Sequence, residues 1–299
     1  MKSIGVVGAG QMGAGIAQVM ALAGYQVVLT EIDGAALKRG LGAIEQSMDR
    51  LIKKGTIDDA AKQQGLLKIS TSTSLQALDQ ADLVIEAVPE ILDLKTKVHR
   101  EIESVVREDA IIATNTSSIS VTKLAAATSR PERFIGVHFF HPVPMMGLVE
   151  VIRGLQTSDD TSEKAYALVR SIEKSLVISA DTPGFIVNRL LVPMINEAIF
   201  ALSGCVADVV TIDTAMRLGA NHPMGPLTLA DFVGLDTVLS AQTVLHQQLG
   251  ESKYRPAPML VKLVEAGWLG RKAGIGFYDY SGAEAVPNSR LPLHASRNS

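Results

Sequence analysis

Ile4-Gly-Val-Val-Gly8-Ala-Gly10-Gln-Met-Gly13-Ala-Gly15 joins a short apolar run to Ile16-Ala-Gln-Val-Met-Ala-Leu-Ala23, whose apolar residues cover a helix face. The pattern reads as strand, glycine turn and helix. Gly8 permits the tight turn, Gly10 lets backbone approach a pyrophosphate, and Gly13 lets the helix lie close on the strand. The helix N-terminus offers N–H groups to phosphates. After Gly24 a second strand, Tyr25–Thr30, ends at Glu31, twenty-one positions past Gly10, where an acid holds the ribose hydroxyls of a dinucleotide. A carboxylate there repels a 2′-phosphate and no Arg follows at once, so the expected cofactor is NAD rather than NADP.

Working outward, strands and helices alternate. Asp33 reads as the N-cap of a long helix through about Lys54, followed by a small helix, Ile57–Gln64,. Strands follow at Leu67–Ser70, Leu83–Glu86 and Ile111–Thr114, with a helix starting near Ile91 and another over Val121–Ala126. Two further apolar runs, Phe134–Val137 and Leu148–Ile152, flank Pro142-Val-Pro144, which cannot continue a ladder and must turn the chain,. A helix near Ser162–Lys174 and a strand at Leu176–Ser179 complete this part, and Asp181-Thr-Pro-Gly184 marks a boundary,. Beyond it come helical stripes: Phe185–Ser203, about Val206–Leu218, Leu227–Phe232, Leu235–Leu249 and Met259–Ala266. The expected fold is α/β: an N-terminal Rossmann-type, doubly wound, mostly parallel sheet over 1–182, then an all-helical domain over 183–299. The first helix of that domain is apolar over more than one face, which suggests burial against a partner subunit and hence a homodimer. The end from Ser281 is polar, without a period, and reads as a frayed tail.

Composition narrows the ligands. At 299 residues, 47% apolar and 20% charged, the chain is long enough for two cores,. A net charge of −3 argues against nucleic acid, and no dense Lys/Arg block suggests a membrane tether,. Small molecules are the expected partners, and no metal is expected. Cys205, the single cysteine, cannot form an internal disulfide and is expected to pack as a small apolar residue, which fits a reducing compartment,. The first strand-like run starts at Lys2, and no apolar stretch is long enough to span a bilayer, so a cytoplasmic protein is expected,.

Polar residues gather where these strands end. The turn at Pro142–Pro144 lets His138, at the end of one run, face Glu150, inside the next. An acid in an apolar strand needs a partner, and an imidazole nitrogen serves, leaving its other nitrogen for proton transfer near neutral pH. Ligands in such sheets sit at the carboxyl ends of the strands, which puts Glu90 and Lys95 beside the nicotinamide end of a cofactor. Ser117, in Asn115-Thr-Ser-Ser118, is a candidate ligand contact, while Ser118 and Ser120 read equally as turn and N-cap residues,. Ser47 and Lys54, two helical turns apart, share a face, and Asn188 and Arg189 interrupt an apolar stripe at the domain junction,.

Taken together, Gly8-Ala-Gly-Gln-Met-Gly13, Glu86-Ala-Val-Pro-Glu90, Asn115-Thr-Ser-Ser118, the His138 to Glu150 segment, Pro183-Gly-Phe-Ile-Val-Asn-Arg189 and His222-Pro-Met-Gly-Pro-Leu-Thr-Leu-Ala-Asp231 resemble the 3-hydroxyacyl-CoA dehydrogenases, nearly end to end. The bacterial 3-hydroxybutyryl-CoA dehydrogenases are the nearest in length. The resemblance implies that His138 takes the proton of a 3-hydroxyacyl-CoA hydroxyl as hydride passes to NAD, with Glu150 orienting the imidazole. It further implies substrate hydrogen bonds from Ser117 and Asn188, cofactor contacts near Glu90 and Lys95, and CoA contacts at Ser47 and Lys54. The chain departs from the family in having His141 where Asn is usual and Gly147 where Lys is frequent. Two alternatives on the same fold are a dehydrogenase of a free hydroxy acid such as gulonate and a crystallin-like structural protein. The intact His138/Glu150 pair and glycine loop disfavour the latter.

Overall fold

Short runs rich in Val, Ile and Leu become strands because branched side chains suit a pleated, buried surface. They are β1 (Ser3–Val7), β2 (Gln26–Thr30), β3 (Ile69–Ser72), β4 (Leu83–Glu86), β5 (Ile111–Thr114), β6 (Phe134–Phe139), β7 (Leu148–Arg153) and β8 (Ser175–Ala180). In the computed structural model, which describes residues 1–291, they form one sheet in the order β3-β2-β1-β4-β5-β6-β7-β8. The first six run parallel, whereas β7 is antiparallel to β6 and parallel to β8. Side chains alternate between two cores: Ile4, Val6, Leu83 and Ile85 enter one, and Val7, Val84, Ile112 and Phe134 the other. Both faces are buried because helices cover both, as parallel sheets require. Those helices are α1 (Gln11–Leu22), α2 (Gly34–Lys53), α3 (Asp59–Leu67), α4 (Leu92–Val105), α5 (Val121–Ala125) and α6 (Asp159–Ser171).

Caps move several boundaries from where periodicity alone sets them. The Asp58 carboxylate accepts from the Ala61 amide at 2.7 Å, so α3 starts at Asp59 and β3 follows at Ile69 instead of Leu67,. Ser158 accepts from the Thr161 amide at 3.2 Å, so α6 starts at Asp159, three residues before the apolar pattern suggests. The β6/β7 ladder continues to Phe139 opposite Val149, which leaves His138 inside β6 and not at its end.

The chain divides into two compact units, Met1–Phe185 and a second from Ile186 onward. The second contains α7 (Val187–Ser203), α8 (Val209–Gly219), α9 (Pro226–Val233), α10 (Leu235–Leu249) and α11 (Pro258–Glu265), with a short antiparallel pair, β9 (Tyr278–Asp279) and β10 (Val286–Pro287). Its core gathers Ile195, Ile199, Leu227, Leu235, Leu260 and Phe277. The frayed tail expected from Ser281 is corrected as far as residue 291. Asn288 is buried, donating to the Gly276 carbonyl at 2.8 Å, and Leu291 joins the core. The rest of that segment, 292–299, lies outside the described residues. Cys205 is also corrected: it is exposed in the turn after α7, with φ 56°, and does not pack inside.

One buried acid organises this second core. Asp231, fully buried on α9, accepts from the Phe277 and Tyr278 amides at 2.9 Å and from the Tyr280 hydroxyl at 3.0 Å. Burial pushes its carboxyl up to about 6. The close approach explains the glycine-rich turn, since a Cβ on Gly276 falls 2.0 Å from Asp231 Oδ1. Gly276→Ala therefore costs about 3 kcal/mol. Denaturant unfolding followed by circular dichroism checks this, and an unchanged midpoint contradicts the packing described.

Candidate active site

The glycine loop carries backbone groups outward. Gly8 has φ +101°, and a Cβ on Gly13 falls 1.7 Å from the Gly8 carbonyl oxygen, so α1 lies on β1 as closely as only glycine allows,. A Cβ on Gly10 meets nothing within 4 Å, and α1 starts without a side-chain cap, leaving its first turn suited to a phosphate,. Glu31, at the end of β2, accepts from the Ala9 amide at 3.0 Å, which holds its carboxylate beside the loop. Ala9, Gly10 and Glu31 line a cavity of about 660 Å³. Ser47 and Lys54 of the α2 segment line it too, along with Arg50 from the same face and the His141–Met145 segment. His141, one departure from the family pattern, thus borders the cavity. Gly147, the other, is exposed, and a Cβ there meets nothing within 4 Å.

At the carboxyl edge of the sheet the structure assembles a charged cluster that sequence reasoning saw only in part. Glu86, Lys95, His99 and Thr114 are all fully buried. The Lys95 ammonium stands 2.8 and 3.1 Å from the two Glu86 oxygens, 3.2 Å from the Asn115 carbonyl and 3.4 Å from Glu90 Oε2. Glu86 also accepts from the Val88 amide at 2.7 Å and the Thr114 hydroxyl at 2.8 Å. His99 brings Nε2 to 2.9 Å from Glu86 without hydrogen-bond alignment, its ring edge-on to Phe134. Burial pushes the Glu86 carboxyl up, but His99 and Lys95 outweigh it and hold it below its ordinary 4.5,. Glu90, with its side chain 33% exposed, accepts from the Thr116 hydroxyl, from the Ser117 and Ser118 amides at 2.9 and 3.1 Å, and from the Ser118 hydroxyl at 3.1 Å. Desolvation raises its carboxyl too; Lys95 and these donors bring it below 4.5.

His138 and Glu150 are directly opposite in the β6/β7 register, and His138 Nδ1 lies 2.7 Å from the Glu150 carboxylate. Glu150 is fully buried and His138 only 6% exposed, against Phe140 and Phe185. Asn115, following β5, accepts from the Phe139 amide at 2.9 Å and so ties the end of β6 to the Ser117 turn.

The structure thus brings together Glu90, Lys95 and Ser117 in one network, and Gly10, Glu31, Ser47 and Lys54 around one cavity. Gly8 and Gly13 shape the loop beneath it. Asn188 lies half-buried on the first turn of α7, in the other unit. Ser120 caps α5, accepting from the Lys123 amide at 3.2 Å. Sequence reasoning missed Glu86, His99, Thr114 and Asn115. A signal existed: Lys95 and His99 are spaced four apart on α4, on the face that turns inward, after a strand that ends in a lone acid,.

One sheet carries a strand–glycine–helix loop and a buried His138–Glu150 pair, and comparison with known proteins gives the class of NAD-linked oxidoreductase to which the chain belongs. Residues 3–182 match the 3-hydroxyacyl-CoA dehydrogenase NAD binding domain, and 184–280 match the C-terminal domain of the same enzymes. The chain belongs to the 3-hydroxyacyl-CoA dehydrogenase family, whose cofactor is NAD. It is 54% identical over 287 residues to the 3-hydroxybutyryl-CoA dehydrogenase of Bradyrhizobium diazoefficiens, covering 96% of this chain and 98% of that one. A probable 3-hydroxybutyryl-CoA dehydrogenase of Bacillus subtilis is 49% identical over 94% of this chain and 98% of its own length. The solved (S)-3-hydroxybutyryl-CoA dehydrogenase of Ralstonia eutropha superposes with a TM-score of 0.92 at 51% identity, over 94% of this chain and 100% of that one. Among the described residues no helix is long and apolar enough to cross a membrane.

Because Glu86 and Glu90 titrate below 4.5, the stability they contribute is present above that pH and lost as pH falls through their folded values,. Lys95→Met leaves Glu86 buried without its ammonium, at a cost of about 3 to 5 kcal/mol at pH 7. The gap to the wild type narrows below pH 4.5 as the carboxylates discharge. Urea unfolding at pH 7 and pH 4 measures both; a gap independent of pH contradicts the pairing.

Proposed function

We propose that the protein catalyses the reversible NAD-dependent oxidation of a short-chain 3-hydroxyacyl-CoA, 3-hydroxybutyryl-CoA, to the 3-ketoacyl-CoA, with His138 as the proton acceptor. The observation that supports this is the buried His138 imidazole held at 2.7 Å by the fully buried Glu150 carboxylate. An ionised carboxylate only accepts, so Nδ1 carries the proton and Nε2 keeps its lone pair toward the substrate. His138 Nε2 removes the proton of the 3-hydroxyl, and the neighbouring Glu150 charge stabilises the imidazolium that results. The nicotinamide ring, when bound, accepts the hydride from C3. In reverse, His138 returns the proton to the 3-keto oxygen. The short acyl chain is supported by the names of the Bradyrhizobium and Ralstonia relatives.

The remaining residues take supporting roles in this reading. Gly8, Gly10 and Gly13 admit the pyrophosphate, and Glu31 holds the ribose. Glu90 lies at the nicotinamide end, with Lys95 acting through it, because the ammonium is fully buried. Ser117 and Asn188 hydrogen-bond the substrate, while Ser47 and Lys54 receive the nucleotide of CoA. The helical unit serves substrate binding and a homodimer, supported by exposed Leu190, Val210, Leu218 and Phe232 on α7 to α9,. The setting is cytoplasmic.

His138→Gln lowers kcat by about 10² to 10⁴ with NADH affinity near that of the wild type. Unchanged turnover moves the base elsewhere, and His141 is then the next residue to replace. A contact remote from the reacting carbon acts on binding, so Lys54→Glu raises KM for a 3-hydroxyacyl-CoA, in a salt-sensitive manner, and alters kcat less. Rates of NADH formation with a panel of 3-hydroxyacyl-CoAs, a truncated thioester lacking the nucleotide, and free hydroxy acids provide the test. Should Lys54→Glu leave the acyl-CoA kinetics unchanged and a free hydroxy acid prove the better substrate, the CoA reading is wrong.

A further inference from the structure

The Glu86 carboxylate is not used in the proton transfer proposed for His138, yet it is among the most fully engaged groups in the sheet. Fully buried, it is held by the Val88 amide, the Thr114 hydroxyl and both short contacts from Lys95. The ammonium it holds reaches two other places. One is Glu90, 3.4 Å away, which gathers the Thr116 hydroxyl and the Ser117 and Ser118 amides. The other is the Asn115 carbonyl at 3.2 Å, on the residue whose side chain accepts from the Phe139 amide, next to His138. An ammonium has three donors, and all three are committed here.

We propose that Glu86 is a positioning residue. Through Lys95 it sets where Glu90 and the 115–118 turn stand, and so aligns the nicotinamide end of the cofactor site with the Ser117 hydroxyl and the His138 strand. Without the Glu86 charge, Lys95 keeps only one ionic partner, Glu90, and is drawn toward it, which displaces the serine turn hung on that carboxylate. Thr114 acts on the same group, since its hydroxyl fixes the Glu86 oxygen that does not bind Val88. The inference rests on the NAD-linked reading of this edge, not on the identity of the acyl chain.

The test compares two ligands that differ in the nicotinamide. Glu86→Gln is expected to weaken NADH, followed by its fluorescence, by at least about fivefold, while ADP-ribose, which lacks the nicotinamide, stays within about twofold. With 3-hydroxybutyryl-CoA, kcat falls by about 10- to 100-fold and KM moves less. Thr114→Val shifts both readouts the same way, by less. Because Glu86 works largely through Glu90, the double variant Glu86→Gln/Glu90→Gln loses less turnover than the two single losses multiplied together. A folded Glu86→Gln protein with wild-type NADH affinity overturns the proposal, and so do additive losses in the double variant. If Glu86→Gln does not fold by circular dichroism, Thr114→Val decides by the same binding comparison, and unchanged NADH affinity there overturns it. Neither binding measurement uses an acyl substrate, so failure of the 3-hydroxybutyryl-CoA reading leaves a separate signature.

Discussion

A carboxylate removed from water must find its charge a partner, and the working edge of this sheet is built on that constraint. Glu86 and Glu150 are both fully buried at the carboxyl side of the central strands. Glu86 takes an ammonium and Glu150 an imidazole, and each pairing fixes a strand or helix relative to its neighbour. Lys95 fastens α4 to β4 and to the turn after β5, while His138 and Glu150 sit opposite each other across the one antiparallel junction among β1 to β7. That reversal matters chemically. Antiparallel pairing sets two residues side by side on one face, so an imidazole and a carboxylate from adjacent strands meet directly,.

Close packing at glycine sets the other boundary of the site. Gly13 admits the Gly8 carbonyl, and a Cβ on Gly40 falls 2.6 Å from the Ala9 carbonyl oxygen, so α1 and α2 both press on the same short loop. The result is a cavity walled by the loop, by one face of α2 and by the His141–Met145 segment, with Glu31 at one side and Lys54 at another. Its lining carries charges of both signs, Glu31 together with Arg39, Arg50 and Lys54. The second unit uses the same device, where Asp231 draws the Gly270–Gly276 turn onto itself.

Much of this was legible in the chain. Strand–glycine–helix periodicity at residues 4–23 specified the nucleotide-binding half, and Glu31 followed from its distance along the chain. His138 and Glu150 were readable because two apolar runs are separated by prolines that force a turn. Ser47 and Lys54 were readable as one helix face. Boundaries shifted where a single cap, Asp58 or Ser158, outweighed apolar periodicity. The ordering of residues 281–291 was hidden because it depends on Asn288 reaching Gly276, a contact with no local pattern.

The sequence by itself determined the alternation of strands and helices, the glycine loop and its acid, and the pairing of His138 with Glu150, because each rests on spacing within one element or across one turn. Only the tertiary structure decided the partners of buried charge. Glu86, Lys95, Thr114 and the Glu90 turn come from three strands or helices and the segments after them, separated by up to 28 positions for Glu86 and Thr114. Their meeting follows from strand order and from helix α4 turning Lys95 inward, and the cost of leaving any one of those groups unpaired away from water holds the arrangement together.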